Sequence, residues 1–194
     1  AQVDPFLECV SREAGRYESA CPSLTSVYLG GGTPSVLSGS QMGRLLSAMR
    51  QSFDICSSAE VTVEANPETL TAAKLASYRD AGVTRLSIGV QTDDDGVLAA
   101  LGRDHSVADS LAAVALARAH GFATVSVDLI FGLPGQQQDH WARTLQAGLA
   151  LGADHISLYG LTVEPSTVFE WMRRTQGLTV PSDDAQADMY AAAI

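Results

Sequence analysis

Apolar and polar residues alternate with a period of two in five separate stretches of the chain. In 60–65 (EVTVEA), Val61, Val63 and Ala65 share one side, and Glu60, Thr62 and Glu64 share the other. In 84–91 (TRLSIGVQ), Leu86, Ile88 and Val90 oppose Arg85, Ser87, Gly89 and Gln91. In 124–130 (TVSVDLI), Val125, Val127 and Leu129 oppose Thr124, Ser126 and Asp128. Residues 155–159 set Ile156 and Leu158 against His155, Ser157 and Tyr159, and 24–29 sets Val27 and Leu29 against Ser26 and Tyr28. Each stretch predicts a strand with one apolar and one polar face. Helical signals lie between them. A first helix is expected over about 4–18, and Met42, Leu45, Leu46 and Met49 form one apolar stripe at i, i+3, i+4, i+7. Helices are also expected over 69–81, within TDDDGVLAAL, over 106–120 and over 138–150. The third of these opens on Ser106 with Asp109 three residues on, a capping-box pattern.

Strands that alternate strictly with helices predict a parallel sheet with right-handed helical crossovers. In a sheet covered by helices on both faces the strands are apolar throughout. Here only one face is apolar, so the other must look into something wet or occupied. The expected fold is therefore α/β, a partial, open β/α barrel around a ligand cleft. A one-sided sheet with its polar face in solvent is the structural alternative. The core is expected over residues 1–175, with 176–194 leading toward a further domain.

The 194 residues and 46% hydrophobic content suffice for one well-buried domain. No apolar run reaches the roughly 20 residues needed to span a bilayer. The formal net charge of −10 argues against nucleic acid as a partner. Cys9, Cys21 and Cys56 are too few and too scattered for a disulfide framework or a metal cluster. They fit a reducing compartment, so a cytoplasmic location is expected, with an organelle such as the mitochondrion as the alternative.

Ligands of β/α barrels gather at the carboxyl ends of the strands. Those ends carry Gly30–Thr33, Glu64, Gln91, Asp128 and Tyr159. In VYLGGGTPSVL (27–37), three glycines are expected to let backbone N–H and carbonyl groups approach a ligand, with Thr33 beside them. Glu64 and Asp128 suit an ammonium group or sugar hydroxyls, and Gln91 both donates and accepts. Arg103, in LGRDH, suits a carboxylate. An amino acid joined to a nucleoside carries this combination of groups. The structural alternatives are a solvated Glu64 and an Arg103 paired with the acids around it. IFGLPGQ either passes its backbone over a flat ring or merely turns the chain. The four histidines show no zinc-hydrolase spacing, and GGGTPS lacks the lysine of a phosphate-binding P-loop.

YLGGGTPS, VTVEANPE, RLSIGVQ, LGRDH, VDLIFGLPGQ and YGLTVEPSTVF occur in this order along the chain. Together they resemble the radical S-adenosylmethionine proteins of the coproporphyrinogen oxidase-like group, and VEANPE and LTVEPSTVF look most like the HemW-type haem chaperones. The resemblance implies the partial barrel of that family. It also implies that Gly31, Gly32, Thr33, Glu64, Gln91, Arg103 and Asp128 bind S-adenosylmethionine. The family's cofactors would include a [4Fe–4S] cluster held by a C-x-x-x-C-x-x-C loop, a spacing this sequence lacks. The expectation is accordingly of a chain without the first strand and its cluster loop. Two functions follow from the resemblance and stay open here. One is a chaperone that binds haem and hands it to haem-accepting proteins. The other is an enzyme that decarboxylates coproporphyrinogen III oxidatively in porphyrin biosynthesis. A phosphate-binding metabolic barrel is a third, more distant class.

Overall fold

One step, repeated, builds the sheet. The computed structural model describes residues 2–18 and 23–194. Its strands are β1 (Leu24–Leu29), β2 (Ile55–Ala65), β3 (Arg85–Gln91), β4 (Thr124–Phe131) and β5 (His155–Gly160). All are parallel and lie in the order β1-β2-β3-β4-β5. Every crossover moves one place in the same direction. Right-handed connections then put all the helices on one face, whereas a doubly wound sheet reverses direction and covers both. The edge strands β1 and β5 do not pair with each other, so the barrel stays open.

The helices are α1 (Val3–Ala14), α2 (Gly39–Ser52), α3 (Ala72–Ala81), α4 (Asp95–Ala100), α5 (Val107–Ala119), α6 (Gln138–Ala150), α7 (Val168–Thr175) and α8 (Asp183–Ala191). None among the described residues is long and apolar enough to cross a membrane. The capping box at α5 forms as expected. The Ser106 hydroxyl accepts from the Asp109 N–H, and the Asp109 carboxylate accepts from the Ser106 N–H. Ser38 and Gln41 do the same at α2. The run of three aspartates is consumed locally. Asp93 accepts from the Thr144 hydroxyl, Asp94 caps α4 by accepting from the Val97 N–H at 3.0 Å, and Asp95 accepts from the Val107 N–H at 2.7 Å.

The apolar strand faces form the core. Val63, Leu86, Ile88, Val125 and Val127 are wholly buried against Met42, Leu46, Leu75, Tyr78, Ala117 and Trp141 of the helices. The buried Tyr78 hydroxyl donates to the Leu37 carbonyl at 2.7 Å. Burial pushes its pKa up to about 12, so it remains a donor.

The element boundaries differ from expectation in three places. β2 begins at Ile55 rather than at 60 because a register shift between Leu24 and Ser26 lets the unpatterned, exposed Ser57 and Ser58 join it. The first helix stops at Ala14 rather than 18, in a turn closed by the Arg16 and Tyr17 N–H groups. The helix expected over 69–81 splits into a 3₁₀ turn, Pro67–Thr69, and α3. The Thr71 hydroxyl accepts from the Lys74 N–H and so restarts the helix.

The polar faces also divide. Near the amino ends of the strands they are filled by the protein itself. Arg85 donates to the Ser126 hydroxyl and pairs with Glu60 at 3.3 Å, while Thr62 and Ser126 are buried. Only toward the carboxyl ends does the hollow open.

Candidate functional site

At the carboxyl rim a cavity of about 250 Å³ is lined by Gly32, Thr33 and Pro34, by Glu64, Ala65 and Asn66, and by Ser87, Gly89 and Gln91, with Arg103, Asp128 and Tyr159 completing it. Six of the seven expected site residues meet here: Gly32, Thr33, Glu64, Gln91, Arg103 and Asp128. The seventh, Gly31, lines a neighbouring apolar cavity instead and touches the site only through its backbone. The cavity lies below the usual 300–1,000 Å³ of drug-sized sites, so a nucleoside-sized ligand would extend beyond it. Larger cavities occur elsewhere: two carry at most one charged side chain, and a third gathers Asp93, Asp94 and Arg143, but its two acids are already committed to the Thr144 hydroxyl and the α4 cap. The rim cavity brings together two carboxylates and a guanidinium.

The three glycines serve different ends. A Cβ on Gly30 would stand 2.7 Å from the Tyr28 ring and 2.8 Å from Glu64 Oε1, so Gly30 makes room for that pair of side chains. Gly31 and Gly32 have open space around an added Cβ but adopt φ of +81° and +63°. There the left-handed backbone, not crowding, calls for glycine. The expectation that the glycine N–H groups are free for a ligand needs correction at Gly31. Its N–H donates to Glu64 Oε2 at 3.0 Å, while the Tyr28 hydroxyl donates to Glu64 Oε1 at 2.8 Å. Glu64 is thus a brace for the glycine turn as well as a wall of the cavity. Each carboxylate oxygen retains a second lone-pair direction for a ligand. Burial, reinforced by the Glu64 carboxylate, raises the Tyr28 pKa, so the phenol stays protonated and donating.

Gln91 ends β3 with φ of +70°, at a bulge where Gly89 faces Asp128 and Gln91 faces Leu129. A left-handed non-glycine residue costs about 1–3 kcal/mol and persists where the surroundings impose it. Its amide folds back over Gly89, where a Cβ would lie 2.6 Å from Gln91 Nε2. Asp128 accepts from the Ser87 hydroxyl at 3.0 Å. Burial raises its pKa, a shift that Ser87 and Ser157 oppose by hydrogen bonding and Glu64 reinforces by charge. Arg103 makes no side-chain hydrogen bond or ion pair among the described residues, so the expected alternative of a surface salt bridge is not what forms. Of the acids near it, Asp93, Asp94 and Asp95 accept from the Thr144 hydroxyl, the Val97 N–H and the Val107 N–H, and the exposed Asp104 does not pair with it.

Sequence reasoning missed Ser87, Asn66 and Gly89 as cavity walls and Tyr28 as the partner of Glu64. The period-two pattern held the signal for Ser87 and Tyr28, since both lie on polar faces. The LPGQ loop turns the chain: Leu133 is buried, and its N–H donates to the Gln136 side chain. His155 is exposed on the polar face of β5 and does not line the cavity. Cys9 and Cys56 are free thiols, and Cys21 lies outside the described residues.

Fold and site together define an open β/α barrel with a small, charged cavity at the carboxyl ends of its strands. The chain belongs to the radical SAM superfamily, whose family model matches residues 10–147. It is 39% identical over 194 residues to the haem chaperone HemW of Bacillus subtilis, covering 97% of this chain and 50% of that protein. It is 42% identical over 167 residues to the mitochondrial radical S-adenosyl methionine domain-containing protein 1 of Bos taurus, covering 86% and 38%. The solved structure of coproporphyrinogen III oxidase (HemN) from Escherichia coli, a radical SAM enzyme, superposes with a TM-score of 0.85 at 27% identity. That match covers all of this chain and 45% of the enzyme. The chain spans half or less of the length of these relatives.

Membership implies S-adenosylmethionine and a [4Fe–4S] cluster as cofactors. The residues present fit the first. Glu64 and Asp128 against Arg103 offer two negative centres and one positive, the complement of a sulfonium, an ammonium and a carboxylate. They do not fit the second. No C-x-x-x-C-x-x-C spacing occurs in the sequence, and no group of three potential metal ligands forms among the described residues.

Asp128 makes the site sensitive to pH, with opposite signs for folding and binding. Its raised pKa means that the native state holds a proton the unfolded chain has lost. Its contribution to stability therefore declines as pH rises from the unfolded value, about 3.9, through the raised one. A cationic ligand needs the ionised form. Calorimetric titration is expected to show S-adenosylmethionine affinity falling on acidification above the ordinary aspartate range. Asp128→Asn should weaken neutral-pH binding about tenfold and flatten that profile. An unchanged profile in the variant would remove Asp128 from the site.

Proposed function

We propose that the chain is the S-adenosylmethionine-binding core of a HemW-type haem chaperone, a protein that carries haem to haem-accepting proteins. The single observation that supports the cofactor site is the convergence of Gly32, Thr33, Glu64, Gln91, Arg103 and Asp128 on one cavity from successive β/α units. The chaperone reading draws its support from the HemW name of a relative that matches nearly the whole chain. In this reading Arg103 grips the ligand carboxylate through its fork of N–H donors. Thr33 and the backbone of the glycine turn hold the amino-acid end, Glu64 and Asp128 balance the two cationic centres, and Gln91 reads the nucleoside by donating and accepting at once. S-adenosylmethionine, when bound, supplies a sulfonium whose one-electron reduction breaks a carbon–sulfur bond. This chain's residues orient that group and shield it. The cluster's thiolates would come from outside this sequence.

The alternative is an oxygen-independent coproporphyrinogen III oxidase, favoured by the close superposition on the Escherichia coli enzyme. The two readings part on turnover. The full-length protein, with its cluster loaded, is to be purified anaerobically and incubated with coproporphyrinogen III, S-adenosylmethionine and a reductant, then separately titrated with haem. Stoichiometric haem binding, seen as a shifted Soret band, without protoporphyrinogen formation is the expected result. Protoporphyrinogen formation overturns the chaperone assignment.

A further inference from the structure

Arg103 sits on a loop, residues 101–106, whose backbone ties run to neighbours in sequence. The Arg103 N–H donates to the Leu98 carbonyl at 3.0 Å, and the Val107 N–H to Asp95 at 2.7 Å. Gly102 and Asp104 are exposed, and Gly102 takes φ of +69°. Such a loop does not by itself hold a guanidinium in register with walls of the cavity that belong to other β/α units. One side chain of the loop is buried, and it is His105, whose imidazole has no exposure at all. His105 Nδ1 lies 3.2 Å from Glu68 Oε2, at ion-pair distance, although neither ring nitrogen makes an aligned hydrogen bond.

Glu68 belongs to the 3₁₀ turn that follows the cavity wall at Asn66. This turn is fastened in its own right to the glycine loop through Ser35, a residue with no exposure. The Asn66 N–H donates to the Ser35 hydroxyl at 3.1 Å, the Thr69 hydroxyl donates to the same oxygen at 2.6 Å, and Lys74 Nζ donates to the Ser35 carbonyl at 2.6 Å. The contact of His105 with Glu68 is the one polar side-chain link between the Arg103 loop and this turn among the described residues. A polar side chain is costly to bury without full hydrogen bonding and is retained where it has work to do. Catalytic and binding groups must be held to a fraction of an ångström by the shell behind them.

We propose that His105 is a positioning residue of the cofactor site: through Glu68 it locks the Arg103 loop to the Asn66 turn, which Ser35 locks to the glycine loop, so that three walls of the cavity are held as one. His105 does not line the cavity. It acts through Arg103.

The inference rests on the cavity reading proposed above, and a double-mutant cycle separates the two. S-adenosylmethionine is titrated calorimetrically into the full chain carrying His105→Ala or His105→Gln, each with and without Arg103→Ala. His105→Ala is expected to weaken binding about tenfold when Arg103 is present and less than about twofold when it is absent, because coupled residues are not additive. Glutamine, which keeps a polar group facing Glu68, should hold affinity within about threefold of the parent. Equal losses in both backgrounds, or a folded His105→Ala protein with parental affinity, overturn the inference. Should His105→Ala fail to fold by circular dichroism, Glu68→Gln carries the same cycle, since that side chain is 30% exposed and keeps its volume. A parent chain that binds no S-adenosylmethionine sinks the cavity reading. A parent that binds, with His105 uncoupled from Arg103, sinks only the positioning role.

Discussion

Replacing Glu64 by alanine is expected to lower S-adenosylmethionine affinity about 100-fold, close to 2.8 kcal/mol. Two losses combine. The cavity falls from two carboxylates and one guanidinium to one of each, leaving one cationic centre of the ligand without a partner. The Tyr28 hydroxyl and the Gly31 N–H also lose their acceptor; both are exposed, so water replaces it and the loss is that of a net hydrogen bond, about 0.5–1.5 kcal/mol each. Freed of that bond, the turn at Gly31 and Gly32 no longer holds Thr33 in place. Glu64→Gln separates the contributions. Glutamine keeps the shape but has one carbonyl oxygen where two donors converge, so about a tenfold loss is expected from charge and one orphan together. Calorimetric titration of the three proteins decides it. Parental affinity in the glutamine variant would mean that the acid only braces the turn and does not meet the ligand.

Trp141→Ala should cost about 3–5 kcal/mol of folding stability, a large share of the 5–15 kcal/mol typical of a domain. The side chain is wholly buried, its ring lies 5.6 Å from that of Phe131, and its indole N–H donates to the Met189 carbonyl at 2.7 Å. The substitution leaves a cavity between α6 and β4 and releases α8, which Trp141 ties down. Trp141→Phe keeps most of the packing and removes the hydrogen bond, so a loss of about 1–2 kcal/mol is expected. Urea denaturation followed by circular dichroism measures both. The phenylalanine protein should bind ligand as the parent does, because the ligand cavity is lined from β1–β5 and the Arg103 loop. A ligand-binding defect equal to that of Glu64→Ala would show that α6 and α8 support the rim.

Much of the site was legible because strand geometry converts sequence spacing into direction. Once 60–65, 85–91 and 124–130 are strands with an apolar side, Glu64, Gln91 and Asp128 must point to the other side and stand near the carboxyl ends. No contact information enters that step. Gly31 was placed correctly on its turn but given the wrong partner, because a backbone N–H at positive φ points wherever the turn sends it. There it meets a carboxylate 33 residues away. The left-handed backbone of Gln91 left no trace in the sequence, since glutamine has no preference for that region. Arg103 was legible as chemistry but not as availability. Only the structure shows Asp93, Asp94 and Asp95 occupied by other donors, leaving the guanidinium without an ionic partner among the described residues.

Local periodicity and the handedness of parallel crossovers were enough to determine a one-way β/α winding with a polar hollow, because both are properties of short segments. Tertiary structure alone decided which polar groups in that hollow satisfy one another and which remain for a ligand. Arg85 closes on Ser126 and Glu60 at the bottom, Tyr28 and Gly31 close on Glu64 at the rim, and Arg103 stays uncommitted. Hydrogen-bond partners are settled by distances of about 3 Å between residues far apart in the chain, and no local pattern encodes a distance of that kind.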